Sequence, residues 1–250
     1  IDRWHLEHAG NFVLDRSTDM SKTCELTKAA KSGGSLVLSQ LSHAGRQTPK
    51  AINPDPLSIS NIKLDLEGYG HPRMASDKDF SELIEKFSTS AKLAQECGFD
   101  GVEIHAAHGY LLSSSLSPRI NNRKDKWGGS FENRARLLQL ILQKVRKSVG
   151  NNFILAVKIN SSDFQKGGLE ISDSVKIANL IEKENIDFIE VSGGNFEAPE
   201  AYQYVSLKES TKSREAYFLD AAKNIKASVS IPIMVTGGFR SISVMEDALT

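Results

Sequence analysis

The sequence of 250 residues has few cysteines, no excess of either charge and no long apolar run. Its two cysteines, Cys24 and Cys97, are too few for a disulfide framework or for an iron–sulfur cluster with four thiolate ligands. The 31 basic and 31 acidic residues cancel, so no overall field favours nucleic acid or an acidic membrane surface. No apolar run approaches the roughly 20 residues that span a bilayer, and the opening IDRWHLEHAG lacks a signal-peptide core. We therefore expect a cytoplasmic protein with a small-molecule partner and no nucleic-acid or membrane binding.

Short apolar, β-branched segments alternate with longer segments whose apolar residues recur every three or four positions. The short segments predict buried parallel strands at residues 35–41, 101–105, 153–159, 187–193 and 231–238. The long segments predict helices at residues 80–98, 133–150, 174–185 and 216–228. Gly98 and Gly150 lie at the C-terminal ends of the first two. This alternation predicts one α/β domain over residues 1–250 with a parallel sheet.

Polar segments follow every predicted strand, which bears on how the sheet is arranged. These segments are QLSHAGRQ, EIHAAHGY, KINSSDF, EVSGGNF and VTGGFRS. A closed (β/α)8 barrel builds its active site from the C-terminal ends of many strands, whereas an open doubly wound sheet uses one switch point. Polar residues at five strand ends therefore favour a (β/α)8 TIM barrel.

The number of predicted strands falls short of the eight in such a barrel. At most a sixth strand is indicated at Asn11 to Leu14, and the final SISVMEDALT resembles the start of a helix. We expect a barrel truncated at both ends, with about five to six of eight strands. The chain would then be a fragment, an aberrant gene model or a naturally truncated product.

Two histidines follow a strand in GVEIHAAHGYL, residues 101–111. His105 and His108 could bind a metal, but a zinc site needs a third protein ligand, and none nearby has suitable spacing. They could also be ordinary loop residues whose hydrogen bonds are satisfied by the backbone. In a third interpretation both imidazoles donate to one ligand oxygen, with Tyr110 beside them as a proton donor.

Two other strand ends carry polar residues suited to a cofactor. Gln40 can donate and accept at once, which suits the imide edge of a heterocycle such as a flavin pyrimidine ring, although a buried Gln is usually structural. Lys158 lies in an apolar strand, where its charge needs an anionic partner. It could stabilise negative charge on a reduced cofactor, or it could form a Schiff base.

Paired glycines follow the last predicted strand in VTGGFRS. Backbone N–H groups at Gly237 and Gly238 can approach a phosphate without obstruction by a side chain. Because barrel phosphate sites commonly lie after the seventh and eighth strands, this position favours phosphate binding over a simple turn.

The charged stretch at residues 121–138 predicts a structural loop that supports the site from behind. Its candidate ion-pair partners are Arg123, Asp125, Glu132 and Arg134, and its Ser130 resembles the polar start of the next helix.

These residues resemble the Old Yellow Enzyme-like NADH:flavin oxidoreductases, a family of FMN-containing (β/α)8 barrels. The matching segments are GNFVLDR, QLSHAGRQ, the run from GFDGVEIHAAHGYLLSSSLSP through NNRKDKWGGSFENR, VKINSSDF, EVSGGNFE and IPIMVTGGFRS. They extend from residue 10 to the C-terminus, and the long central run is very specific.

The resemblance implies roles for eight residues. Tyr110 would be the proton donor, and His105 and His108 would hold the substrate carbonyl oxygen. The FMN contacts would be Gln40 at the pyrimidine edge, Lys158 at N1 and O2, Gly237 and Gly238 at the phosphate, and Asn11 near the ring. Lys158 replaces the more usual arginine, which keeps the charge but loses a planar two-pronged contact. The family's first strand and its Gly-Arg phosphate clamp after the eighth strand have no counterpart here.

The implied reaction is ping-pong. NADH or NADPH passes hydride to FMN, and an α,β-unsaturated carbonyl compound then receives it at the β-carbon while Tyr110 protonates the α-carbon. One alternative is a Schiff-base aldolase that uses Lys158 on the same barrel. Another is a truncated, FMN-deficient, inactive form with exposed sheet edges. Substrate choice would lie chiefly in residues 46–78 and 196–215, and neither it nor the oligomeric state can be read from the sequence.

Overall fold

A parallel five-stranded sheet forms the centre of the computed structural model, which describes residues 1–198 and 215–249. The strands are β1 (Leu38–Leu41), β2 (Leu57–Ser58), β3 (Arg73–Met74), β4 (Gly101–Ala106), β5 (Ile154–Asn160), β6 (Phe188–Ser192) and β7 (Ile233–Val235). The helices are α1 (Met20–Ala30), α2 (Asp77–Glu96), α3 (Leu111–Leu116), α4 (Phe131–Val149), α5 (Ile171–Glu182), α6 (Leu219–Lys226) and α7 (Ile242–Asp247). None of these described helices is both long enough and apolar enough to cross a bilayer.

The strands of the main sheet follow one another in chain order, β1-β4-β5-β6-β7, and every neighbouring pair is parallel. The short β2 and β3 form a separate two-stranded parallel sheet. Each new strand of the main sheet is added to the same edge, whereas a doubly wound sheet reverses direction at a switch point. The described strands therefore have the topology predicted for a barrel.

The two faces of the main sheet differ in chemistry because strand side chains alternate. Val102, Ile104, Val157 and Ile159 share one face and join a single hydrophobic cluster. This cluster also contains the buried sides of α2 and α4, including Phe80, Phe87, Leu137 and Ile141. The opposite face carries polar and charged side chains, so chemistry and core are segregated.

The two longest helices end at the predicted glycines, and α4 begins after the predicted Ser130, whereas α2 begins at Asp77, earlier than the predicted residue 80. Ser76 and Asp79 form a capping box at the start of α2, and the Ser130 side chain caps α4. Gly98 and Gly150 have φ angles of 81° and 76°, a region that glycine enters without a Cβ penalty.

The sixth strand expected at Asn11 to Leu14 is wrong, because this segment pairs with no described strand. The Asn11 side-chain carbonyl instead accepts hydrogen bonds from the N–H groups of Glu7 and His8, which closes a turn before this segment. Phe12 is 56% exposed, so the alternation of GNFVLDR does not correspond to a buried face.

The two cysteines form a disulfide. Cys24 on α1 is bonded to Cys97, the residue that caps the C-terminus of α2, and their Cα atoms are 4.4 Å apart. The bond ties α1 to a helix of the core.

Candidate active site

The C-terminal ends of β1, β4 and β5 border a cleft of about 440 Å3. The sheet topology places these ends together, since all three strands are parallel neighbours. The cleft is lined by six of the predicted site residues, Asn11, Gln40, His105, His108, Tyr110 and Lys158. Its size lies within the range of roughly 300 to 1,000 Å3 that is usual for small-molecule and cofactor sites.

His105, His108 and Tyr110 form a compact group at the end of β4. The ring centroid of His105 is 5.0 Å from that of His108 and 4.9 Å from that of Tyr110, both edge to face. The chain turns between His108 and Tyr110 through two positive φ angles, 61° at His108 and 80° at Gly109. A Cβ at Gly109 would lie 2.4 Å from the Gln47 side-chain oxygen, so only glycine fits this turn.

Neighbouring groups fix the orientation of both imidazoles. The Ala107 N–H donates to His105 Nδ1 at 3.2 Å, which leaves the proton of the neutral ring on Nε2. The His108 Nε2 and Ser192 Oγ share a hydrogen bond of 2.7 Å, and the His108 N–H donates to Asn160 Oδ1 at 3.0 Å. The Gln47 amide donates to the His108 carbonyl oxygen at 3.1 Å.

Burial keeps both imidazoles neutral. It lowers the pKa of His105 well below the usual 6.5, and the nearby His108 and Lys158 lower it further. The pKa of His108 falls to about 4, first through burial and then through the positive charge of Lys158. At neutral pH these rings are therefore hydrogen-bonding groups without charge, suited to polarising a carbonyl oxygen.

Gln40 and Lys158 are each bound to a buried carboxyl group. The Gln40 amide donates to Glu103 Oε2 at 2.6 Å, and the Lys158 ammonium donates to Glu190 Oε1 at 2.8 Å. Lys158 thus has the anionic partner that its position in an apolar strand requires.

The remaining predicted residues have structural contacts of their own. The Asn11 amide nitrogen lies 3.1 Å from His8 Nε2, within the turn described above. Gly237 and Gly238 follow β7, outside the lining of the cleft, with φ angles of 105° and 77°. A Cβ at Gly238 would lie 2.5 Å from the Tyr217 ring, so packing also requires glycine there. The role of the glycine pair at a phosphate stays a prediction.

Several residues of the site were not predicted from the sequence. Glu103 and Glu190 are both 7% exposed and lie on the same sheet face as His105 and Lys158. The signal for Glu103 was present in GVEIH, because a residue two positions from a site residue in a strand shares its face, and His105 was such a residue. In FIEVS no site residue was predicted, and only the sheet register places Glu190 beside Lys158.

A buried ion pair ties the segment after β1 to the segment after β6. The Arg46 guanidinium binds the Glu197 carboxylate and donates to the Lys63 carbonyl oxygen at 3.1 Å. Next to Glu197, the Phe196 ring lies edge to face with Tyr110, with centroids 5.8 Å apart. The ion pair therefore holds an aromatic side chain beside the cleft. Of the residues 196–215 expected to select substrates, 199–214 lie outside the described residues.

The histidines His5 and His43 form a second polar cluster with Asp2, whose candidate ligand atoms lie within 4.8 Å of one another. The Leu57 N–H donates to His5 Nε2, and the Gly45 N–H donates to His43 Nδ1. In the neutral rings, the protons then lie on the other two nitrogens, which face the cluster. Because a nitrogen that carries a proton cannot bind a metal, this arrangement favours hydrogen bonding.

One ion pair of the predicted supporting loop is confirmed, whereas its support of the site stays a prediction. Arg123 pairs with Asp125 and also donates to the carbonyl oxygens of Ile59 and Ala75, which anchors the loop to the core. Arg134 donates instead to the carbonyl oxygens of Leu116 and Gly129.

Two solved structures have folds similar to that of this chain. The 2-naphthoyl-CoA reductase structure in complex with 2-naphthoyl-CoA has a TM-score of 0.90 at 27% identity and covers 98% of this chain and 39% of that chain. An Old Yellow Enzyme homologue from Zymomonas mobilis has a TM-score of 0.79 at 21% identity, covering 99% of this chain and 69% of that chain, and supports the fold alone. These relatives confirm the prediction of a TIM-barrel fold.

Two sequence relatives both carry names of nicotinamide-dependent enzymes. The NADH-dependent flavin oxidoreductase nadA of Aspergillus parasiticus is 37% identical over 262 residues, which cover 100% of this chain and 58% of that protein. An NADPH dehydrogenase of Bacillus subtilis is 37% identical over 191 residues, covering 76% of this chain and 52% of that protein. The chain therefore spans 58% or less of the length of these two relatives. Residues 9–250 match the family model described as NADH:flavin oxidoreductase / NADH oxidase, and the chain belongs to this family.

Proposed function

We propose that this chain carries the catalytic residues of an FMN-dependent ene-reductase that uses NADH or NADPH. The observation that carries the proposal is the convergence of two neutral imidazoles and a tyrosine, His105, His108 and Tyr110, on one cleft. An α,β-unsaturated carbonyl compound needs both functions that this group offers, hydrogen-bond donors for its oxygen and an acid for its α-carbon.

The donor set of the cleft fits a flavin. Gln40 offers an amide, and Lys158 offers a positive charge, and both line the cleft. An amide can both donate to and accept from the pyrimidine edge, while the ammonium can stabilise negative charge near it. When bound, FMN would accept hydride from the nicotinamide and deliver it to the β-carbon of the substrate.

The protein's own contribution is orientation and proton transfer. The proton on His105 Nε2 is available to a carbonyl oxygen, because Nδ1 is already bound to the Ala107 N–H. A hydrogen bond to that oxygen stabilises the negative charge that develops when hydride reaches the β-carbon. Tyr110, which is 6% exposed, would then protonate the α-carbon in surroundings that exclude most water.

The aldolase alternative is disfavoured by the contacts of Lys158. Its ammonium lies 2.8 Å from the Glu190 carboxylate, so the nitrogen is engaged in an ion pair. A Schiff base requires the neutral amine as the nucleophile.

Replacement of the proton donor tests the proposal. We expect Tyr110→Phe to slow enone reduction by about 100-fold or more, because general acid catalysis is lost, while flavin reduction by NADH or NADPH stays largely intact. Stopped-flow absorbance of the flavin measures the two half-reactions separately in the full-length protein.

Tyr69→Phe is a matched control for this substitution. Tyr69 contacts Phe196, with ring centroids 6.4 Å apart, but does not line the cleft, so both half-reactions should keep their rates. Loss of both half-reactions in Tyr110→Phe would contradict the role of Tyr110 as proton donor, and a purified full-length protein without flavin would contradict the function itself.

A further inference from the structure

Four polar side chains form a continuous chain of hydrogen bonds across the sheet. Gln40 on β1 donates to Glu103 on β4 at 2.6 Å, and Lys158 on β5 donates to Glu190 on β6 at 2.8 Å. Glu103 and Glu190 are hydrogen-bonded to each other between these two contacts. The two carboxyl groups therefore lie beside the residues proposed for the flavin and connect them.

The strand register explains how the two carboxyl groups meet. Glu103 is the partner of Ala156, and Glu190 is the partner of Lys158, so β5 lies between the two glutamates. Strands two positions apart in a sheet are separated by roughly 10 Å, which two glutamate side chains can bridge together. The methyl group of Ala156 leaves room for them to do so.

The charges in this chain of side chains do not balance if both carboxyl groups are ionised. Lys158 supplies one positive charge, and Gln40 supplies none. Two carboxylates in contact repel each other, and a hydrogen bond between them requires a proton on one of them. Because the pair is buried, solvent cannot screen a second negative charge.

We propose that Glu103 and Glu190 hold one proton between them and act as a positioning pair for Gln40 and Lys158. Glu103 carries the proton and donates a hydrogen bond to Glu190. Glu190 stays ionised and binds the Lys158 ammonium. The pair fixes the two donors, Gln40 and Lys158, at the cleft. Together with Lys158 the pair carries no net charge.

The groups around the pair support this assignment. Burial and the neighbouring Glu190 raise the pKa of Glu103 to about 7, although Gln40 and Lys158 act in the opposite direction. Burial alone would raise the pKa of Glu190, but hydrogen bonds with Glu103 and Lys158 outweigh burial and lower it. His108 also faces Glu190 but is neutral near pH 7. Met234, the partner of Glu190 on β7, is uncharged.

The shared proton can be tested by NMR of the protein labelled with 13C at the glutamate carboxyl carbons. We expect one carboxyl resonance to titrate near pH 7, well above the value of about 4.3 that is usual for glutamate. Glu103→Gln should remove this titration, and Glu190→Gln should lower its midpoint, because the adjacent charge is gone. Glu96→Gln, an exposed replacement on α2, should leave it unchanged.

Two results would overturn the shared proton. One is a wild-type protein in which no glutamate titrates above about pH 6, since the ordinary range would then account for all carboxyl groups. The other is a titration near pH 7 that persists in both Glu103→Gln and Glu190→Gln. The two variants change the pair from opposite sides, so the test survives if one of them fails to fold.

The effect on the cofactor rests on the proposed flavin function and has a separate measurement. Ionisation of Glu103 adds a second carboxylate near Lys158, so FMN affinity should fall several-fold as the pH rises through 7, and Glu103→Gln should abolish this dependence. Flavin fluorescence titration of the full-length protein measures the dissociation constant. An affinity independent of pH would overturn the positioning role. Absence of FMN binding at any pH would contradict the proposed function, while the NMR titration would still decide the proton.

Discussion

Ionisation of the Glu103 carboxyl group makes the stability of the folded chain depend on pH. Its pKa is raised from 4.5 to about 7 in the folded chain, first by burial and then by Glu190. Between these values the folded state keeps a proton that the unfolded chain releases. The stabilisation from this group is therefore fully present below about pH 4.5 and is lost as the pH rises through about 7.

Glu103→Gln should remove this pH dependence while keeping the hydrogen-bond pattern. The glutamine carbonyl can accept from Gln40, and its amide can donate to Glu190. We expect the free energy of unfolding of the variant, relative to wild type, to increase by ~1–3 kcal/mol between pH 5 and pH 8. Urea denaturation at the two pH values measures it. A stability difference that is the same at both, as expected for the exposed control Glu96→Gln, would contradict the raised pKa.

The sequence predicts single residues well where they belong to a motif and poorly where they depend on partners. His105, His108 and Tyr110 are close in sequence, so their proximity in one cleft could be predicted. Glu103 and Glu190 meet only because β4 and β6 flank β5, and their residue numbers carry no sign of this arrangement. The alternation of a strand gives the face of each glutamate, but the sheet order decides its neighbour.

The start of α2 depends on a reciprocal pair of hydrogen bonds. The Ser76 side chain accepts from the Asp79 N–H at 3.3 Å, and Asp79 Oδ2 accepts from the Ser76 N–H at 2.8 Å. Arg73 also binds both oxygens of Asp79 and holds the pKa of this carboxyl well below its usual range, although burial acts against the shift. These contacts satisfy N–H groups that have no partner within the helix.

Ser76→Ala should destabilise the protein by about 1 kcal/mol, because the cap is lost at the N-terminus of a helix that packs against the core. Ser81→Ala is a matched control, since Ser81 lies on the exposed side of the same helix and should change stability by less than about 0.5 kcal/mol. Thermal unfolding of the two variants measures the difference. Equal effects would mean that the capping box contributes nothing to stability.

At the scale of elements, the predicted strands and long helices are confirmed with shifts of a few residues, while α3 was missed. Its sequence LLSSSL resembles a polar loop, yet all six residues are buried. The Ser114 and Ser115 hydroxyls donate to the carbonyl oxygens of Gly109 and Leu112, which satisfies them away from water. Such partners are unknown before the fold is known, so periodicity alone could not identify this helix.

The whole described fold separates the groups that stabilise it from the groups that react. The helix-facing side of the sheet is apolar and packed, while the opposite face carries the hydrogen-bonded chain from Gln40 to Lys158. Substitutions on the polar face should therefore change binding and titration more than packing. The loops at the strand ends need separate anchors, because they contribute few residues to the hydrophobic cluster.

Arg46 and Glu197 form such an anchor between two distant parts of the chain. The Arg46 side chain is 1% exposed and that of Glu197 is 13% exposed, so the charges are largely removed from water. The Glu197 carboxylate also accepts from the Asp65 N–H at 2.9 Å. Loss of one partner leaves the other as a buried charge without compensation, which is costly, whereas loss of both removes the desolvation penalty as well.

A double-mutant cycle at this ion pair tests whether it ties the two segments together. We expect Arg46→Met alone to lower the free energy of unfolding by about 3–5 kcal/mol, since the Glu197 carboxylate would stay buried without its partner. Glu197→Gln should also destabilise, although the glutamine can still accept from the Asp65 N–H. The double variant should lose less than the sum of the two, with a coupling energy of about 1–3 kcal/mol from urea denaturation. Additive losses would show that Arg46 and Glu197 do not stabilise each other, and that the segment bearing Phe196 is held beside Tyr110 by other contacts.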